Sequence, residues 1–414
     1  MNLMLKGVDE NKLKLDFKME SKIVLFFILI ILLFGCRKGT DYPINNEQKE
    51  ENPEILEIPE IPVNYLQVPS SAYPTVQSAI DSSFDGDTVI VLPGIYKEVL
   101  DMKGKNITLA SVYLLEENQK YIEATILDGK AEWSVINFNN GENENCVLNG
   151  FTLRNGAGIK YNSPYASPMR QGGGIYCWKS KPVLKNLIIR ENTADWGSAI
   201  YCSQGSVTLD NILVTENKGS HALYFIHSSP RINNIRVEKN EGNGLATREC
   251  HTFTISNSRF LNNSRSGCFF DQGRTILINV LCADNKYWGV SANAAPTELK
   301  NCTLVNNGGG INVFETSSFI KNCIFWNESV EISLSVLISG WAEATVRYSD
   351  VKGNPSSYEN EYYKLDYDST NISLDPQFCD PENGDYHLQP GSPCLTASED
   401  GWLIGAMGEG CSGE

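Results

Sequence analysis

The chain has 414 residues, 41% hydrophobic and 20% charged, which is long and apolar enough to build a substantial core. Its 50 acidic residues outnumber 34 basic ones, for a formal charge of −16. That balance argues against nucleic acid or anionic lipid as a partner and disfavours a polyanionic sugar.

Residues 23–34 are an unbroken apolar run, Ile-Val-Leu-Phe-Phe-Ile-Leu-Ile-Ile-Leu-Leu-Phe, preceded by Lys22. The run is shorter than the roughly 20 residues of an ordinary membrane span. With a basic start and a small residue at its end it reads as an export signal. A start at Met19 gives a signal of normal length. Leu33-Phe34-Gly35-Cys36 resembles the bacterial lipobox, although Phe34 is a less usual occupant. That resemblance implies a cell-envelope lipoprotein lipidated at Cys36, in the outer membrane or at the cell surface, which meets the membrane through its anchor alone. The alternatives are a plain signal peptide or an uncleaved anchor. Residues 37–64 are rich in Asn, Glu, Lys and Pro and read as a flexible acidic tether.

Residues 65–350 carry an internal repeat. Asn186, Asn211, Asn234, Asn257, Asn279, Asn301 and Asn322 recur at intervals of 25, 23, 23, 22, 22 and 21 residues. A second Asn column follows six residues on: Asn192, Asn217, Asn240, Asn263, Asn285 and Asn307. The step slips to five at Asn327. Upstream of each rung stands a Gly or Ala, from Gly174 and Ala199 to Gly310. A fixed period of this size means a solenoid. After each Asn, apolar residues fall at steps one and three, as in Leu187/Ile189 and Cys323/Phe325; the same holds after each Gly or Ala, as in Ile175/Cys177. Period two means strands with one buried face. Three short strands per coil, stacking about 4.8 Å apart, make a right-handed parallel β-helix of about ten coils. The fold class is therefore all-β, with a short helical cap near residues 74–83 over the first open edge. The first Asn column suits the left-handed bend between strands, so both columns read as structural ladders.

The outward residue of the first strand in each coil reads Tyr176, Tyr201, Tyr224, Ala246, Phe269, Ser291 and Asn312, with Trp178 two further along the first of them. This predicts an exposed aromatic stripe offering faces to sugar rings. The alternative is that an insertion rich in Tyr, Ser and Pro, residues 157–171, covers it. Charged residues gather in the next turn: Arg248 and Asp271 share one column, His227 and Glu249 the next. The coil carrying Arg248, Glu249 and His251 has one extra residue there. A base, an acid and a cation within two rungs suit acid–base work on a sugar. A lyase needs a base plus Ca²⁺ or Arg beside a uronate; a hydrolase needs paired carboxylates. His227, Arg248, Glu249 and Asp271 fit neither pattern well, and a charge ladder on a solvated face explains them too.

Residues 351–414 read as a loop-rich C-terminal cap. Its acids, including Glu359, Glu361, Asp366, Asp368 and Asp375, supply oxygens for calcium, but no loop has a calcium pattern and solvated acids are the better reading. No other cofactor is indicated. The four His show no metal-ligand spacing. Cys177/Cys202 and Cys302/Cys323 share inward columns within disulfide reach of each other, or form a stack of free buried thiols. Cys379, Cys394 and Cys411 lie in the loop-rich end of an exported chain, and their connectivity is open.

Gly172-Gly-Gly-Ile-Tyr-Cys177 and the Phe260–Asn263 pattern resemble repeats of bacterial right-handed β-helix surface proteins, similar to those of polymorphic outer-membrane proteins. Residues 73–81 and 86–96 resemble the start of pectin-lyase-like β-helices, and segments such as Asp375-Pro-Gln-Phe378 and Ile404-Gly-Ala406 resemble the ends of such surface proteins. The likeness spans roughly residues 67–411. It implies the fold but not an activity, because the superfamily holds lyases, hydrolases and adhesins. Three functions remain: a module binding glycans or surface proteins through Tyr176, Trp178, Tyr201, Tyr224 and Phe269; a polysaccharide lyase or hydrolase; and a purely structural surface protein. The first is preferred, since stacking on aromatic rings needs no tuned pKa.

Overall fold

The computed structural model describes residues 56–162, 168–337 and 340–411. The signal and Cys36 lie outside them. The described residues are nearly all β, 47% strand and 6% helix, wound into a parallel solenoid of about 13 turns. The middle of its three sheets runs in unbroken parallel register from Leu66–Val68 to Tyr363–Tyr367. The repeat predicted about ten coils over residues 65–350. The rungs without the Asn columns lie at both ends: Leu66–Val68, Thr88–Val91, Thr108–Ser111 and Val147–Asn149 before them, and Ala342–Arg347 and Tyr363–Tyr367 after them.

Each coil folds as its period-two pattern requires. Ile175, Cys177, Leu187 and Ile189 are buried, as are their counterparts Ile200, Cys202, Ile212 and Val214 one rung on. Full burial of such a side chain stabilises by about 1.5–3 kcal/mol, and stacking repeats the gain at every rung. The second and third strands run together, as in Val183–Arg190 and Thr208–Thr215, bending at the Asn. Asn186, Asn211, Asn234, Asn257, Asn279, Asn301 and Asn322 all take left-handed conformations, φ 49–56°. Their amides form an outer ladder; Asn211 Nδ2 donates to Asn186 Oδ1 at 2.7 Å and Asn279 Nδ2 to Asn257 Oδ1 at 3.1 Å. Asn257 instead donates to Asn233.

The second Asn column is buried. Asn263, for example, donates both its backbone N–H (3.1 Å) and its Nδ2 (3.0 Å) to Asn285 Oδ1, and Nδ2 also reaches the Val237 carbonyl. The pattern continues through Asn307 to Asn327, so the five-residue slip leaves Asn327 in register. There the ladder meets a carboxylate: Asn327 N and Nδ2 donate to Glu331 Oε1 and Oε2 at 2.7 and 2.6 Å.

At the other end helix α1, Val76–Ser82, covers the first rung. Thr75 caps it through a capping box, and Glu98 accepts from the Val76 and Gln77 amides, both at 3.0 Å. Leu56, Ile61 and Tyr65 pack against Ile90, Val112 and Tyr121, so the last residues of the expected 37–64 tether are part of the folded unit.

The C-terminal segment sheathes the outer face of the third sheet. Phe378, Tyr386, Leu388, Cys394, Ile404 and Met407 pack on Leu261, Leu281, Val305 and Ile324. Cys379 pairs with Cys411. Cys394 is a free thiol whose Sγ donates to buried Asp350 Oδ2 at 3.2 Å. Cys177, Cys202, Cys302 and Cys323 are free and buried, the stacked-thiol alternative.

Candidate functional site

The first sheet carries the predicted stripe in register: Tyr176 beside Tyr201, Tyr201 beside Tyr224, Tyr224 beside Ala246, Ala246 beside Phe269. Exposure differs from expectation. Tyr201 and Tyr224 are only 6% and 7% exposed, Tyr176 and Phe269 are half-buried, and Trp178 is 39% exposed. The spacing of parallel rungs is the first reason. Rings on neighbouring rungs cover each other's faces: Tyr176 and Tyr201 stack with centroids 5.6 Å apart at 8°. Residues outside the strand are the second. Trp196 meets the Tyr224 ring edge-on at 5.8 Å, and His221 lies 4.8 Å from it. His221 is partly buried: its Nδ1 bonds Asn243 Nδ2 at 3.0 Å, and burial, then Arg265, holds its pKa down at about 4. Burial raises the phenol pKa of Tyr176, Tyr201 and Tyr224.

Parts of the 157–171 insertion border this stripe. Ile159–Tyr161 and Met169–Gln171 pair as an antiparallel arm. The arm forms one wall of a cleft of about 470 Å³. Tyr161, Met169 and Gln171 face it from the arm, Tyr176 and Tyr201 from the floor, and Trp178, Ser203, Gln204 and His227 from the far side, with Trp196 and Ile226. Sequence reasoning named Tyr176, Trp178, Tyr201 and His227 here and missed Tyr161, Trp196, Gln171 and Gln204. Phe269 is not part of the cleft lining.

His227 belongs to a turn column in which Lys179, Gln204, His227, Glu249 and Gln272 all have φ of 48–60°. Left-handed backbone favours Asn or Gly. The outer corner has Asn on seven rungs, whereas this corner carries long polar side chains. The His227, Glu249, Arg248 and Asp271 side chains do come together. His227 Nε2 is 2.8 Å from Glu249 Oε2, Arg248 Nε is 3.5 Å from Glu249 Oε1, and Arg248 Nε is 3.9 Å from Asp271 Oδ2. Asn293 Nδ2 donates to Asp271 Oδ1 at 2.9 Å. The His227 hydrogen bond, foremost, lowers the pKa of Glu249. The extra residue of this coil appears as a register shift between Cys250 and Phe253. Arg248 is thus held between two carboxylates, as a charge ladder would hold it, and only His227 of the four reaches the cleft. Among the described residues no three His, Cys, Asp or Glu side chains converge on a metal position; Asp366 and Asp368 both pair with Arg347.

A family model described as right handed beta helix region matches residues 112–286 and 243–357. The chain belongs to this right-handed β-helix family. No curated protein matches it. Among solved structures it is similar to PfbA, a surface adhesin of Streptococcus pneumoniae, at 13% identity and TM-score 0.34, covering 75% of this chain and 100% of that one. It is also similar to the A-module of the Azotobacter vinelandii mannuronan C-5 epimerase AlgE6, at 14% identity and TM-score 0.32, covering 68% and 95%. A third is a pectin methylesterase solved with a hexasaccharide, at 11% identity and TM-score 0.27, covering 73% and 93%. These β-helix likenesses concern the fold alone.

Proposed function

We propose that this β-helix is an exported cell-envelope lipoprotein that binds a glycan in the cleft between the first sheet and the arm formed by Ile159–Tyr161 and Met169–Gln171. One observation carries the glycan reading: Tyr161, Tyr176 and Trp178 surround a cleft that also holds Ser203, Gln171 and Gln204. Aromatic rings stack on the apolar faces of sugars, while amides and hydroxyls both donate to and accept from sugar hydroxyls. The aromatic site is thus a cleft rather than the flat stripe, and Trp178 and Tyr161 replace Tyr201 and Tyr224 as its anchors. A glycan array with the wild type and with Trp178→Ala and Tyr161→Ala tests this. Each substitution is expected to weaken binding by about 1–3 kcal/mol, by analogy with bases stacked on aromatic side chains. Array signals equal across all three proteins would reject the cleft.

A second reading, cleavage of a polysaccharide, is favoured by His227, which faces the cleft with Glu249 on its Nε2 at 2.8 Å. A bound carboxylate orients an imidazole for proton transfer. Reducing-end release from the bound glycan, abolished in His227→Ala, would move the function from binder to enzyme.

A further inference from the structure

We infer that the cleft selects an uncharged sugar, an inference that rests on the glycan reading above. Among the described residues its lining contains aromatic rings, Ser and Gln, and neither a carboxylate nor a Lys or Arg. The cations that flank it are engaged or turned away. Strand alternation puts Tyr161, Met169 and Gln171 toward the cleft, and so puts the paired Lys160 and Arg170 on the other face of the arm. Arg170 Nη1 is also held by three carbonyls, those of Glu132, Ala157 and Gly158, at 3.1, 3.1 and 3.0 Å. The Lys179 ammonium sits over the Trp178 ring, 4.4 Å from its centroid. Arg248 is shared between Glu249 and Asp271. His227, which lines the cleft, has a nitrogen on the Glu249 carboxylate.

An anionic sugar entering this cleft gives up hydration and finds no Lys or Arg lining it among the described residues, and a desolvated charge without a partner is strongly unfavourable. A neutral sugar loses only hydroxyl hydration, which the Gln, Ser and Tyr groups replace. Net charge alone disfavours polyanions over the whole surface and at long range. The local arrangement is a separate filter that added salt does not remove.

The test compares wild-type full-length chain with Gln204→Lys and Trp178→Ala on neutral oligosaccharides (mannan, xylan and glucan fragments) and acidic ones (polygalacturonate and alginate fragments), at low and high salt. Gln204 and Lys179 occupy the same left-handed turn column, so that backbone position already accommodates Lys. The wild type is expected to bind a neutral oligosaccharide at least about tenfold tighter than any acidic one, at both salt concentrations. Gln204→Lys is expected to narrow that gap by about tenfold. Tighter wild-type binding of an acidic oligosaccharide, lost in Trp178→Ala, would overturn the inference and leave the glycan reading standing. Binding indifferent to Trp178→Ala for both classes would remove the glycan reading and this inference with it.

Discussion

At Tyr224 the ring is enclosed by Tyr201, Trp196 and His221, whereas at Trp178 two turns away a face of the indole meets solvent and the Lys179 ammonium. Truncating the first leaves a cavity; truncating the second does not. Tyr224→Ala is expected to destabilise by about 3 kcal/mol, and Trp178→Ala by less than about 1 kcal/mol, read from urea denaturation midpoints. Equal losses would mean the stripe is not packed as described. A second residue-scale test lies at Glu331. Burial, against the Asn327 bonds and Lys352, pushes its pKa from 4.5 up to about 7. A folded-state pKa above the unfolded one gives stability that is full below the unfolded value and is lost as pH rises through the folded one. The chain should therefore lose on the order of 1–3 kcal/mol between about pH 4.5 and about pH 7. Glu331→Gln should flatten that slope. Part of it should remain, because burial also raises Asp350, to about 6. An unchanged slope in the variant would assign the effect to other groups.

The two Asn columns look alike in sequence and do different work as elements. Asn263 is buried, and its Oδ1 receives both the backbone N–H and the Nδ2 of Asn240. Asn257 sits at an exposed bend whose main demand is φ of 49°. Asn263→Gly is expected to cost about 3 kcal/mol, since it strands buried donors. Asn257→Gly keeps the bend and is expected to cost less than about 1 kcal/mol. Matching losses in thermal melts would show that burial does not separate the ladders. The strand, the bend and the inward columns were legible because period two and the Asn spacing are local properties of Leu187, Ile189 and their repeats. What covers the outside was not. Period two says that Tyr201 and Tyr224 point out of the coil, but their burial depends on Trp196, on His221 and on each other across rungs. The cleft needs Tyr161 and Gln171, placed by an arm whose antiparallel pairing has no repeat to reveal it. One signal was available: Leu281 and Ile324 are apolar at outward positions of the third sheet, and the C-terminal segment covers them.

On the scale of the whole molecule, α1 covers one end of the solenoid, the Cys379–Cys411 segment sheathes one side, and the cleft opens on another sheet. The proposed lipid anchor at Cys36 predicts that a radiolabelled fatty-acid precursor enters the wild-type chain and not Cys36→Ala; equal labelling would remove the anchor. The central claim is that the cleft, and no other exposed aromatic surface, holds the glycan. Trp341 is 45% exposed and lies outside the cleft lining, which makes it a matched control for Trp178. Calorimetric titration of the array-identified oligosaccharide into wild type, Trp178→Ala and Trp341→Ala tests the claim most directly. Trp178→Ala should weaken binding about tenfold or more, the equivalent of about 1.4 kcal/mol, with Trp341→Ala matching wild type. Wild-type affinity in Trp178→Ala, or a loss in Trp341→Ala instead, would contradict it.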